Sequence, residues 1–162
     1  MPYSIKNEIH TKALGDILQL RITETIRESE GGAYSPRAGA SFLREPKSEA
    51  TINIRFDCNP DLADKLAAIV NEEIQKMADG NIKDTDLNKI KTNFIKERLQ
   101  FKDKNAYDME MILSFFRYNL NINDPKNFED IVHVMSKKDI QSLSKQIISE
   151  GDSYELIFEP KQ

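Results

Sequence analysis

The sequence predicts an α+β domain: an antiparallel-rich sheet with helices packed mainly on one face. Three observations carry that prediction. Residues 51–58 alternate strictly, with Ile52, Ile54, Phe56 and Cys58 on one side and Thr51, Asn53, Arg55 and Asp57 on the other. Apolar residues recur at helical spacing once before this strand and several times after it. The 162 residues, 39% of them apolar, suit one ordinary domain with a real core.

The first helix is expected from Thr11 to Ser29, where Leu14, Ile17, Leu18, Ile22 and Ile26 form one apolar stripe; Gly31 and Gly32 stop it. Residues 1–10 read as a flexible leader or expression remnant ahead of it. After the glycines, Tyr34, Pro36, Ala38, Ala40 and Phe42 fall on one side of an extended segment, with Pro36 marking an edge position or a bulge. The turn from Arg44 to Ser48 joins this segment to the alternating strand as an antiparallel hairpin. Asn59 and Pro60 open the next helix as cap and first residue, and Leu62, Leu66, Ile69, Val70, Ile74 and Met77 follow before Gly80 ends it. Asp84 or Thr85 caps a helix that carries Leu87, Ile90, Phe94, Leu99 and Phe101 to about Lys104. Another, from about Ala106 to Leu120, holds Met109, Ile112, Leu113 and Phe116. Asp124 and Pro125 break the chain ahead of a short helical turn from Phe128 to Val132. Ser136 and Asp139 then form a capping box for a helix through Ile140, Leu143, Ile147 and Ile148. Gly151 closes it, and Tyr154, Leu156 and Phe158 alternate in a last strand. Three strands are few for so many helices, and a sheet this narrow points to strands supplied upstream or by another chain.

Composition narrows the chemistry. No apolar run is long enough to span a bilayer, and the first ten residues hold no apolar stretch of a secretory signal, which leaves the compartment open. A net charge of -4 argues against nucleic acid or an anionic membrane as the main partner. The basic run of Lys83, Lys89, Lys91, Lys96, Arg98, Lys102 and Lys104 reads as a solvated helix face. Cys58, the single cysteine, excludes an internal disulfide and a cysteine zinc cluster, and reads as a small core residue. His10 and His133 lack the spacing of a helical zinc motif; His10 reads as mobile and His133 as half-buried. The segment Ile26-Arg27-Glu28-Ser29-Glu30-Gly31-Gly32-Ala33-Tyr34-Ser35-Pro36 is the most specific feature. By pattern alone, Arg27 complements a helix C-terminus and Tyr34 anchors the sheet.

That segment, from Leu14 to Pro36, resembles the non-catalytic half of the pitrilysin/insulinase family of inverted zinc metallopeptidases. The order of the later elements agrees over residues 11–160, which the resemblance makes a single, partial C-terminal domain truncated at its N-terminal strands. The resemblance implies the following. Arg27 and Tyr34 bind a peptide substrate, a guanidinium and a phenol donating to its carbonyl and to the oxyanion formed on it. Gly31 and Gly32 form the turn that aims them, and the adjacent strand pairs with an extended peptide. Zinc belongs to an N-terminal catalytic half with a His-x-x-Glu-His motif that is absent here, so this chain binds no metal and does not cleave alone. The expected partners are that half, the peptide, and a second copy meeting an exposed sheet edge. A structural or assembly subunit of the same fold without peptidase activity is the alternative, and a stand-alone helical interaction module a third reading.

Overall fold

The computed structural model describes residues 2–30 and 33–158, and the side chains of all of these except 27–30, 33 and 34. Its elements are α1 (Ile5–Glu30), β1 (Ala33–Leu43), β2 (Glu49–Cys58), α2 (Ala63–Ala78), α3 (Asp84–Lys102), α4 (Asn105–Tyr118), α5 (Glu129–Val134) and α6 (Lys137–Glu150). The α+β expectation holds.

The first helix is the axle of the molecule: β1, α2, α3, α5 and α6 all pack against it. Its predicted stripe of Leu14, Ile17, Leu18, Ile22 and Ile26 is fully buried, and Ile9 and Ala13 extend it. The helix starts at Ile5 rather than Thr11, because Ser4 supplies the cap. Its Oγ accepts from the Asn7 amide at 3.0 Å, and its carbonyl accepts from the Glu8 amide at 3.0 Å. Residues 5–10 thus form the first turns of α1. Tyr3 packs edge-on against Phe42, and His10 is buried instead of mobile.

A helix can lie this close to a strand only where its side chain is absent. A Cβ on Gly15 would sit 2.2 Å from the Ala40 amide nitrogen and 2.9 Å from the Gly39 carbonyl carbon. Gly15 accordingly gives up helix propensity for backbone contact with β1. The two strands pair antiparallel, with Ala38 opposite Ile54 and Ala40 opposite Ile52. Ala38, Ala40, Ile52, Ile54, Phe56 and Cys58 rest on the core, whereas Asn53, Arg55 and Asp57 are exposed. Pro36 does mark a bulge: the register slips between Tyr34 and Arg37, and Ser35 takes a left-handed φ of 49°. Tyr34 lies opposite Asp57, so the alternation from Ala38 to Phe42 does not continue in phase back to Tyr34.

The later helices form largely as expected. The Asn59 side chain accepts from the Asp61 amide at 3.3 Å, but Pro60–Leu62 is a 3₁₀ turn before α2 begins. Gly80 leaves α2 with a φ of +90°, which a side chain would strain. Lys83, rather than Asp84 or Thr85, occupies the cap position of α3, without a side-chain cap. The capping box of Ser136 and Asp139 is present at α6.

Four further expectations fail. Residues 151–158 form no strand, and Tyr154, Leu156 and Phe158 are 86%, 78% and 91% exposed. Among the described residues the sheet holds only β1 and β2, so this alternating segment has no neighbour to supply its ladder. The stripe on α4 does not face the core: Met109, Ile112, Leu113 and Phe116 are exposed, because α4 packs chiefly on α3. Arg98 leaves the solvated basic face and is buried. It stacks on Tyr107 and Phe128 and donates to the Ile122 carbonyl. His133 is exposed on α5 instead of half-buried.

Candidate functional site

Arg27 stands in the last turn of α1 and Tyr34 near the start of β1. Consecutive elements therefore bring the two backbones to either side of one connection. Gly31 and Gly32 lie outside the described residues, as do the side chains of Arg27 and Tyr34. What the structure describes is the frame that holds this connection on its helix side and its strand side.

On the strand side the frame is Gln19. Its Oε1 accepts from the Ala38 amide at 2.7 Å and its Nε2 donates to the Pro36 carbonyl at 3.1 Å. The side-chain amide thus stands in for one residue of a neighbouring strand, directly beside the bulge. Nε2 also donates to Thr23 Oγ1 at 2.7 Å, one helical turn on, which fixes the rotamer. One consequence corrects an expectation. The outer edge of β1 is already taken at Pro36 and Ala38, and covered by Gly15 at Ala40, so an extended peptide adding there would have to displace α1.

On the helix side the frame is a buried ion pair. Arg21 Nε meets Glu73 Oε2 at 2.8 Å with both side chains sealed from solvent, and Arg21 Nη1 donates to the Asn81 carbonyl at 2.6 Å. Lys76 Nζ donates to the other oxygen, Glu73 Oε1, at 2.9 Å. Burial by itself raises the Glu73 carboxyl, but the Lys76 hydrogen bond and the Arg21 charge outweigh it and hold the group below the usual carboxylate range. Arg21 thereby ties α1 to α2 and to the α2–α3 loop, less than two helical turns before Arg27.

The sequence reading missed Gly15, Gln19, Arg21 and Glu73. A signal for the first two was present. Gly15, Gln19 and Thr23 recur every fourth residue, a polar stripe on an otherwise apolar helix. Nothing in sequence pairs Arg21 with Glu73, which are distant along the chain.

Zinc does not fit the residues described here. Among them no three His, Cys, Asp or Glu side chains converge as a metal requires, and the two histidines differ in setting, His10 buried in α1 and His133 exposed on α5.

Residues 2–94 match the model of the peptidase M16 inactive domain. No curated protein matches the sequence. Among solved structures, a mutant of the ferredoxin protease FusC in complex with Arabidopsis ferredoxin superposes on 90% of this chain and 16% of its own, with a TM-score of 0.71 and 16% identity. The periplasmic protease PqqL from Escherichia coli covers 90% of this chain and 16% of its own, with a TM-score of 0.69 and 22% identity. A protease from Helicobacter pylori covers 87% and 34%, with a TM-score of 0.70 and 14% identity. At these identities the structures share the fold, and the chain spans about a third or less of each. With a family match over more than half of the sequence and that fold in hand, the chain belongs to the peptidase M16 inactive-domain family, the non-catalytic C-terminal domains of pitrilysin/insulinase-type metallopeptidases.

Proposed function

We propose that this chain is the substrate-clamping, non-catalytic part of a zinc-dependent endopeptidase acting on peptides. Its partner is a catalytic half that holds the zinc and activates water. Arg27 and Tyr34 are the clamp. Their roles are complementary: a guanidinium donates in a fixed fork to a peptide carbonyl, and a phenol donates to the oxyanion as it forms. The observation that carries this reading is the placement of both residues at one helix-to-strand connection of an M16 inactive domain, braced by Gln19 on one side and by Arg21 with Glu73 on the other. Bracing of this kind suits binding groups, which must be held to a fraction of an ångström to favour a transition state. An open sheet edge gives the chain a second partner, another copy of itself.

The test supplies the catalytic half and measures peptide turnover. Arg27→Ala and Tyr34→Phe are each expected to lower kcat/KM by about 10- to 1000-fold, the scale of a lost oxyanion donor. Unchanged turnover in both variants overturns the clamp. Absence of any turnover with the unaltered chain and a competent catalytic half favours the structural-subunit alternative.

A further inference from the structure

We propose that Arg37 and Arg55 form a subsite for an acidic side chain of the peptide, about two residues along from the carbonyl held by the clamp. The proposal rests on the clamp reading above and adds a substrate class to it, peptides with aspartate or glutamate close to the cleaved bond.

The direction of approach is set by what α1 covers. Its side chains and backbone take the outer edge of β1 at Pro36, Ala38 and Ala40, and the inner face of the hairpin rests on the core. A peptide reaching the connection between α1 and β1 therefore comes over the solvent face of the hairpin. Arg37 and Arg55 lie directly opposite one another there, both exposed. The bulge joins this pair to the clamp. Its extra residue lets Tyr34 stand opposite Asp57, the next ladder position in phase with Arg55. Two residues of β2 separate these positions, about 7 Å, and an extended peptide covers that span with two residues of its own.

Charge selects the ligand. Like charges directly opposite in a ladder weaken a hairpin, and here nothing offsets them. Arg21 pairs with Glu73, Arg44 and Arg117 stack on Tyr118, and Arg98 stacks on Tyr107. Among the described residues Arg37 and Arg55 have no ion pair, hydrogen bond or ring contact. Asp57 is exposed two positions along β2 and bonds to neither, so both guanidinium forks are open. A carboxylate set between them accepts from both and relieves their repulsion. The chain carries a net charge of -4, so its overall field favours basic peptides, and a preference for an acidic one reports this local pair.

The test assays the chain with its catalytic half on paired peptides that differ only in Glu against Gln, the substitution being walked along the positions that flank the cleaved bond. The unaltered chain is expected to favour the Glu peptide about fivefold in kcat/KM at one of these positions, and by less as salt is raised. Arg37→Gln with Arg55→Gln abolishes that preference, and Arg37→Glu with Arg55→Glu turns it toward a Lys peptide. Absence of a Glu preference at every position overturns the proposal, and so does a preference that survives the double Gln variant. The clamp reading fails on a different readout, unchanged turnover of the Gln peptide in Arg27→Ala and Tyr34→Phe. If neither peptide is turned over, their dissociation constants decide. A Glu peptide bound no more tightly than its Gln counterpart overturns the subsite, and tighter binding that the double Gln variant removes supports it.

Discussion

Helices α1 and α4 carry apolar stripes of the same kind and meet opposite fates. On α1 the stripe is sealed, together with Thr11, His10 and Arg21 from its polar positions. Thr11 donates to the Asn7 carbonyl at 2.7 Å, and Arg21 is satisfied by Glu73 and Asn81. On α4 even Phe116, the last residue of the stripe, is 80% exposed. Periodicity thus reports that a segment is helical and has a sticky face. Burial depends on how many elements converge on that face, five for α1 and chiefly α3 for α4.

The sharpest way to break the comparison is to remove one partner of the buried pair on α1. Glu73→Ala leaves the Arg21 guanidinium sealed and uncompensated, and is expected to cost about 3–5 kcal/mol in urea denaturation. Replacing both, Arg21→Met with Glu73→Leu, costs markedly less than the single change, because no charge stays buried. A double variant as unstable as Glu73→Ala would show that the pair contributes more than mutual neutralisation.

Truncating matched residues sharpens it next. Leu18→Ala removes a side chain with 0% exposure and is expected to cost about 2–5 kcal/mol, against about 0.5 kcal/mol or less for Phe116→Ala. Equal losses in a denaturant titration would mean that the α4 face is covered in solution.

The smallest effect concerns His10, which lies on the α1 side of the capping box of α6. Its Nε2 is buried without a partner, and burial holds its pKa below the ordinary 6.5, with Asp139 opposing that shift and Lys6 adding to it. Folding therefore favours the neutral ring, and the unfolded chain binds the proton more readily. Stability is expected to be full above the ordinary value and to decline as pH falls below it. His10→Gln removes that decline, while the losses from Glu73 and Asp139, both held below their ordinary 4.5 and 3.8, persist at lower pH. Urea midpoints for both chains across this range check the assignment, and an unchanged slope in His10→Gln refutes it.

Much of the architecture was legible because it is local. The Ser136–Asp139 capping box, Asn59–Pro60, Gly80 and the bulge at Pro36 each follow from what a few neighbouring residues can do with their own backbone. The candidate site was legible as a motif around Arg27 and Tyr34, but its bracing was not. Gln19 reaches β1, and Arg21 reaches Glu73, through contacts between residues far apart in sequence. The start of α1 was misplaced for a related reason: His10 is polar by type, and only the tertiary structure buries it.

By itself the sequence determined the helices and the hairpin, their order and the family motif, since each depends on backbone preference and side-chain spacing over a few residues. Only the tertiary structure decided which faces are covered, that Gly15 lets a helix touch a strand, and that the segment after Gly151 stays unpaired. Covering a face or completing a ladder takes a second surface, and the position of that surface is a property of the whole chain.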